Sequence, residues 1–217
     1  MYNIKELQEL LKDKINSLGI VKKPERLYEP VEYILSLGGK RLRPTLVLMS
    51  CNLFSKNIED AIPAAIAIEV FHNFTLVHDD IMDEASVRRG KVTIHNKWNQ
   101  DVAILSGDAM SILAYKYLAQ SKNNILPDLL KVFTQTALEV CEGQQYDMDF
   151  EDELDVTAQD YLKMIELKTS VLIACAMKMG AIAANADDKD AMHLYNFGKY
   201  IGMAFQLRDD YLDVYGD

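Results

Sequence analysis

Strand-forming signals are nearly absent from this sequence. Alternations of period two are few, and neither Asn-Gly nor Asp-Gly occurs to turn a hairpin, which argues against a sandwich or a barrel. Cysteine is scarce. Cys51, Cys141 and Cys175 are odd in number and stand far apart among apolar neighbours, so there is no disulfide framework and no zinc spacing. They read as reduced, buried thiols of a cytoplasmic protein. Basic residues are outnumbered 23 to 33, and the net charge of −10 argues against nucleic acid as a partner. Uncharged apolar runs never reach the length of a membrane span, so none is expected. The opening "MYNIKELQELLKDKINSLGI" lacks the apolar core and cleavage site of a signal peptide.

What is present is helix after helix. Ile4, Leu7, Leu10, Leu11 and Ile15 make a helical stripe. Pro30 is expected to open a short helix that runs to Leu37 and stops at Gly38-Gly39. Pro44 sits in the first turn of another, from about Leu42 to Phe54. From about Ile58 to Asp83 the chain is apolar almost all round, the mark of a central, buried helix. "RRGKVTIHNKW" reads as a loop or small irregular segment. Long helical patterns follow over about Asn99–Ala119, Leu126–Asp149, Ala158–Ala184 and Lys189–Tyr215. With 217 residues and no low-complexity linker, residues 1–217 form one all-α domain able to bury a core unaided.

Two acidic motifs stand out. "DDIMD" supplies Asp79, Asp80 and Asp83, and "RDDYLD" supplies Asp209, Asp210 and Asp213, each after an apolar helix. Residues four apart share a helical face about one turn apart, so Asp79 repels Asp83 and Asp209 repels Asp213. One such cluster is most simply a solvated helix end. Two copies point to divalent cations, and hard carboxylate oxygens suit Mg²⁺, which takes substrate phosphates as its other ligands. The two acidic faces could meet across a bundle interior. Phosphate is also signalled by "GGKRLRP", where Lys40, Arg41 and Arg43 begin a helix behind a flexible Gly-Gly. Arg88 and Arg89 follow the first acidic motif, and arginine forks match phosphate oxygens.

These motifs together with "GQQYD" (Gly143–Asp147) and "KTS" (Lys168–Ser170) fall in an order that resembles the trans-isoprenyl diphosphate synthases, the polyprenyl synthetase family, over nearly the whole chain. The resemblance implies an all-α, antiparallel helical bundle around a deep central cavity, usually a homodimer. It implies a prenyltransferase that joins isopentenyl diphosphate head to tail to an allylic diphosphate. About three Mg²⁺ ions per site are implied, with Mn²⁺ as the alternative. Lys40, Arg43, His72 and Arg89 match positions that hold isopentenyl diphosphate. Asp79, Asp83 and Asp209 match metal ligands, and Asp80, Asp213 and Asp147 resemble partners one water removed from the metal. Arg88 and Lys168 match groups on the allylic diphosphate. Lys168, Thr169 and Gln206 match residues near the developing carbocation, and Gln144 joins the substrate-binding set. No protein nucleophile is needed, because the departing diphosphate can serve as the base.

A lone histidine in an apolar helix, such as His72, is often a plain core residue. Its place two turns before Asp79 favours a ligand role here. His78 immediately precedes Asp79 and is a weaker candidate, since it could simply support Asp79 by hydrogen bonding. Phe74 lies five residues before Asp79, about 7.5 Å along the helix, and with Phe71 and the small Thr75 it would set product length. An aromatic there beside a small residue resembles short-chain synthases, geranylgeranyl favoured over farnesyl. Chains of the family continue past the second acidic motif into further helices, whereas this one stops at "VYGD", so a truncated bundle wall is expected. A terpene cyclase would share the fold but would not need "GGKRLRP" or the second motif. A metal-dependent phosphohydrolase, suggested by His78-Asp79, lacks a matching set among His72, His95 and His193. A non-catalytic or partner-dependent subunit of a heteromeric synthase stays open as the alternative.

Overall fold

The computed structural model describes residues 2–216. The chain is 77% helical, which confirms the all-α class. It groups into two compact units, one made of Tyr2–Thr45 with Ile62–Ser121, the other of Leu46–Ala61 with the chain from Lys122 onward.

In the first unit, α1 (Ile4–Asn16) starts with a capping box. Asn3 accepts from the Glu6 amide, and the Glu6 carboxylate accepts from the Asn3 amide. Its stripe buries Leu7, Leu11 and Ile15, while Ile4 in the first turn is exposed and Leu10 half-buried. α2 spans Glu25–Ser36, so Pro30 lies inside the helix and does not open it. The missing Pro30 N–H removes one helical bond. Burial of Pro30, Val31, Ile34 and Leu35 offsets it, at about 1.5–3 kcal/mol for each large side chain. Gly38 and Gly39, at φ of 72° and 127°, carry the chain away from α2. α3 (Leu42–Phe54) begins in this unit and continues into the other.

α4 (Ile62–Met82) is the central helix, preceded by a 3₁₀ turn at Glu59–Ala61. Glu59–Met82 is long and apolar enough by composition to cross a membrane, with a mean hydropathy of 1.3. A search for unbroken apolar runs misses this, because Glu69 and His72 interrupt it. Of that window, 67% is buried within the protein. The main partner of α4 is α6 (Gln100–Leu118), whose buried stripe is Ala103, Ser106, Gly107, Met110, Ala114 and Leu118. Asn99 caps α6 by accepting from the Val102 amide.

Between α4 and α6 the chain makes a hairpin where an irregular segment was expected. β1 (Val87–Arg88) pairs antiparallel with β2 (Lys91–Val92), and a short α5 (Ile94–Lys97) follows. The turn residues Arg89 and Gly90 have φ of 51° and 73°, the mirror-image geometry that favours hairpins. Asparagine or aspartate usually signals such a turn, and Arg89 hides it. The Tyr33 hydroxyl pins β2 through the Val92 carbonyl at 2.7 Å.

In the second unit, α7 (Leu126–Asp152), α8 (Ala158–Ile165), α9 (Val171–Ala183) and α10 (Asp188–Tyr215) pack together. The helix expected over Ala158–Ala184 is broken by a π-helical turn at Glu166–Ser170. Such turns collect at functional sites, and no periodicity in this stretch announces it. Two helices meet the turn backbone to backbone. A Cβ on Gly143 of α7 would lie 2.2 Å from the Lys168 nitrogen, and one on Gly202 of α10 would lie 2.8 Å from Ser170 Cα. Cys51 and Cys175 are buried, and burial pushes their thiols up to about 11 and 12. Cys141 is exposed, contrary to the expectation of three buried thiols.

Gly143→Ala tests the close contact. In an ordinary helix interior this change stabilises, by about 1 kcal/mol. Here the new methyl meets backbone that cannot yield, so a net loss of about 1–3 kcal/mol is expected. A thermal melt should show a fall of several degrees, and a rise would refute the packing.

Candidate active site

The first unit holds a basic cradle at the α2–α3 junction. The Gly38 carbonyl accepts from Arg89, and a Cβ on Gly39 would sit 3.0 Å from the Arg89 guanidinium carbon, so the double glycine lets Arg89 lie against the loop. Lys40 is exposed beside it. Arg43 reaches across to α4, its Nη1 3.1 Å from His72 Nε2. An arginine can only donate, so His72 accepts there and keeps its proton on Nδ1. Burial first, then Arg43, Arg89 and Arg88, hold His72 well below its usual range. Burial likewise lowers Arg43 to about 10, against the pull of Glu69.

Glu69 and Asn73, which the sequence reading passed over, lie one turn apart on α4, and Asn73 donates to the Glu69 carboxylate at 3.2 Å. Burial raises Glu69, while Asn73, Arg89, Arg41 and Arg43 lower it. Arg41 Nη1 and Arg43 Nε are buried without a hydrogen-bond partner among the described residues. Buried polar atoms are ordinarily paired, and guanidinium N–H groups turned into a cationic cradle fit an anion with several oxygens.

The Asp83 amide bonds the Asp79 carbonyl at 2.8 Å, which keeps these two residues one turn apart at the end of α4. Asp79 is half-buried and Asp83 exposed. Asp80 turns the other way. It is buried and takes Arg88 Nε and Nη2 on one oxygen at 2.9 and 2.6 Å. His78 packs on α6, 3.3 Å from the Ile104 carbonyl, where a Cβ on Gly107 would collide with its ring. Phe71, Phe74 and His78 form a line of rings along α4, with centroids 5.3 and 4.7 Å apart. Thr75 is one turn before Asp79, and its hydroxyl donates to the His72 carbonyl at 2.8 Å. At about 100° per residue, Thr75 shares the Asp79 face more closely than Phe74 does.

In the second unit the π turn presents Lys168 and Thr169. Lys168 donates to Asp147 on α7, and Gln144 lies three residues before Asp147 on the same helix. Thr169 donates to Gln206 Oε1 at 3.0 Å, and Gln206 Nε2 donates to Asp210 at 2.8 Å. Tyr161 on α8, which no sequence signal marked, donates to the other Asp210 oxygen. Burial, then Asp210, push this phenol up to about 12. Asp209 and Asp213 lie one turn apart on α10. No three acidic, histidine or cysteine side chains converge on a point among those residues. The carboxylates come in pairs instead. Pairs of hard oxygen donors fit Mg²⁺, which keeps waters and binds through one or two carboxylates plus phosphate.

The chain belongs to the polyprenyl synthetase family, whose model matches residues 24–217. It is 44% identical over 202 residues to the geranylgeranyl diphosphate synthase of Methanosarcina mazei, covering 92% of this chain and 62% of that one. A geranylfarnesyl diphosphate synthase of Natronomonas pharaonis is 38% identical, covering 97% and 67%. Among solved structures, a geranylgeranyl pyrophosphate synthase superimposes with a TM-score of 0.97 at 53% identity, covering all of this chain and 66% of that one. The chain thus spans about 62–67% of the length of these relatives.

His72 gives a direct test. Its folded pKa lies below the unfolded value of about 6.5, so the unfolded chain binds the proton first and stability falls as pH drops through about 6.5. Imidazole nitrogen shifts at pH 6 should show His72 neutral with the proton on Nδ1. A charged ring there would refute the arrangement.

Proposed function

We propose that this chain carries the machinery of an isoprenyl diphosphate synthase, a prenyltransferase that joins isopentenyl diphosphate head to tail to an allylic diphosphate. The observation that carries the reading is the pairing of opposite features in one acidic chain. Orphaned guanidinium N–H groups in the cradle call for an anion, and the aspartate pairs call for a cation. A metal diphosphate satisfies both. The geranylgeranyl and geranylfarnesyl synthases among its relatives support the same reaction class.

Lys40, Arg43 and Arg89 would bind isopentenyl diphosphate, with neutral His72 holding the Arg43 fork in place. Arg88 and Lys168 would bind the allylic diphosphate, each already oriented by a carboxylate, Asp80 and Asp147. Asp79, Asp83, Asp209 and Asp213 would hold Mg²⁺, which when bound supplies charge neutralisation for the leaving diphosphate. Fixed charges at the place where negative charge develops are usually the largest catalytic term. As the allylic C–O bond breaks, Thr169 and Gln206 turn oxygens toward the positive carbon, and apolar lining excludes water. The isopentenyl double bond attacks that carbon, and the departing diphosphate accepts the proton. We take the product to be short, geranylgeranyl favoured over farnesyl, and the protein to act as a homodimer, as the resemblance implies, in the cytoplasm, as its unpaired cysteines suggest. Phe71 and Phe74 would limit chain length, with Thr75 leaving room on the Asp79 face.

Purified protein incubated with Mg²⁺, labelled isopentenyl diphosphate and each allylic primer should yield one short prenyl diphosphate by mass spectrometry. EDTA should abolish it, and Asp79→Ala should cost at least about 100-fold in kcat. Turnover that survives both would sink the metal assignment. Phe74→Ala should lengthen the product and Thr75→Phe should shorten it, and an unchanged distribution in both would remove these residues from length control.

A further inference from the structure

We infer that Tyr161 is a positioning residue for the synthase reaction: its hydroxyl fixes Asp210, Asp210 fixes the Gln206 carboxamide, and the carboxamide fixes Thr169. The inference rests on the reading above. It starts from an ambiguity built into glutamine. A carboxamide has nearly the same shape after a half-turn, with donor and acceptor exchanged. Unless something sets its sense, Gln206 can show Thr169 either an oxygen or an NH₂ group.

Asp210 sets the sense. An ionised carboxylate only accepts, so Gln206 must aim Nε2 at it, which it does at 2.8 Å. Oε1 is then left to Thr169, whose hydroxyl donates to it at 3.0 Å. The Thr169 proton is thereby directed to Gln206, and oxygen lone pairs remain to face a positive centre. Polarity reversed along this chain would present N–H and O–H groups instead, the wrong sign for a developing cation.

The ordering lasts only while Asp210 stays put. It is flanked by Asp209 and lies three residues before Asp213, so like charges press on it from its own helix. Its second oxygen is held by Tyr161, which comes from a different helix. α8 is itself fixed at its start by a capping box between Thr157 and Asp160, and it runs directly into the π turn that carries Thr169. The relay is therefore closed through the backbone. Tyr161 and Thr169 ride on one continuous segment, and Asp210 and Gln206 are one turn apart on α10. A simple staple between α8 and α10 would need the Tyr161–Asp210 bond alone. The ordered polarity beyond Asp210 is what a staple would not require.

Tyr161→Phe keeps the ring and deletes the hydroxyl. We expect kcat to fall about tenfold, since small misplacements near reacting atoms are costly, with KM for both substrates within about twofold. In a Gln206→Ala background the same change should add no further loss, because the two act through one group. An unchanged kcat, or an effect that adds in full to that of Gln206→Ala, would overturn the inference. A second reading does not depend on turnover. In glutamine-labelled protein, the Gln206 carboxamide signals, assigned by their loss in Gln206→Ala, should shift in Tyr161→Phe, and signals that stay in place would overturn the inference. A wild-type protein that forms no prenyl diphosphate would refute the proposed reaction, while the carboxamide signals would still decide whether Tyr161 orders Gln206.

Discussion

Two carboxylates one helical turn apart repel each other, and both acidic motifs must accommodate that repulsion. They do it in the same way. The middle aspartate is taken up by protein donors, Asp80 by Arg88 and Asp210 by Tyr161 with Gln206. The outer two, Asp79 with Asp83 and Asp209 with Asp213, lie one helical turn apart in each motif. In each triplet, therefore, one carboxylate organises its surroundings. The hairpin that delivers Arg88 and the helix that delivers Tyr161 both answer this electrostatic demand.

Precision in the second unit comes from the approach of main chain to main chain. Gly143 and Gly202 bring α7 and α10 against the π turn more closely than any side chain would permit. Backbone contacts cannot adjust by changing rotamer, so Lys168 and Thr169 are held in fixed relation to Asp147 on one side and Gln206 on the other. Interiors packed to this density transmit displacement instead of absorbing it. The glycines therefore belong to the site's positioning machinery although none of them carries a functional group.

Much of this was legible in the sequence, for identifiable reasons. Long amphipathic or wholly apolar segments marked α1, α4, α6, α7 and α10 to within a few residues, because periodicity is local. Asp79 with Asp83 and Asp209 with Asp213 stood out because repulsive spacing is rare without cause. What stayed hidden depends on tertiary context. Pro30 inside α2 is tolerated through burial of its neighbours, which no local rule foresees. The π turn leaves the apolar pattern of Ala158–Ala184 intact while rotating everything beyond it. Tyr161 looks like any half-buried tyrosine until α10 is laid beside it. Glu69 was submerged in an apolar helix whose very hydrophobicity drew attention elsewhere. The packing of the His78 ring on α6 likewise depends on a helix that adjacency in sequence does not reveal.

The turn at Arg89 carries a last consequence. A residue with a Cβ is uncomfortable at positive φ, by roughly 1–2 kcal/mol, and asparagine or glycine would relieve the strain. A hairpin optimised for folding alone would use one of them. Keeping arginine there means that the tip of the hairpin is less stable than it could be, in exchange for a guanidinium fork that lies against Gly39 and faces the cradle. Variants selected for heat resistance would tend to drift toward asparagine at this point and lose the fork as they gained stability.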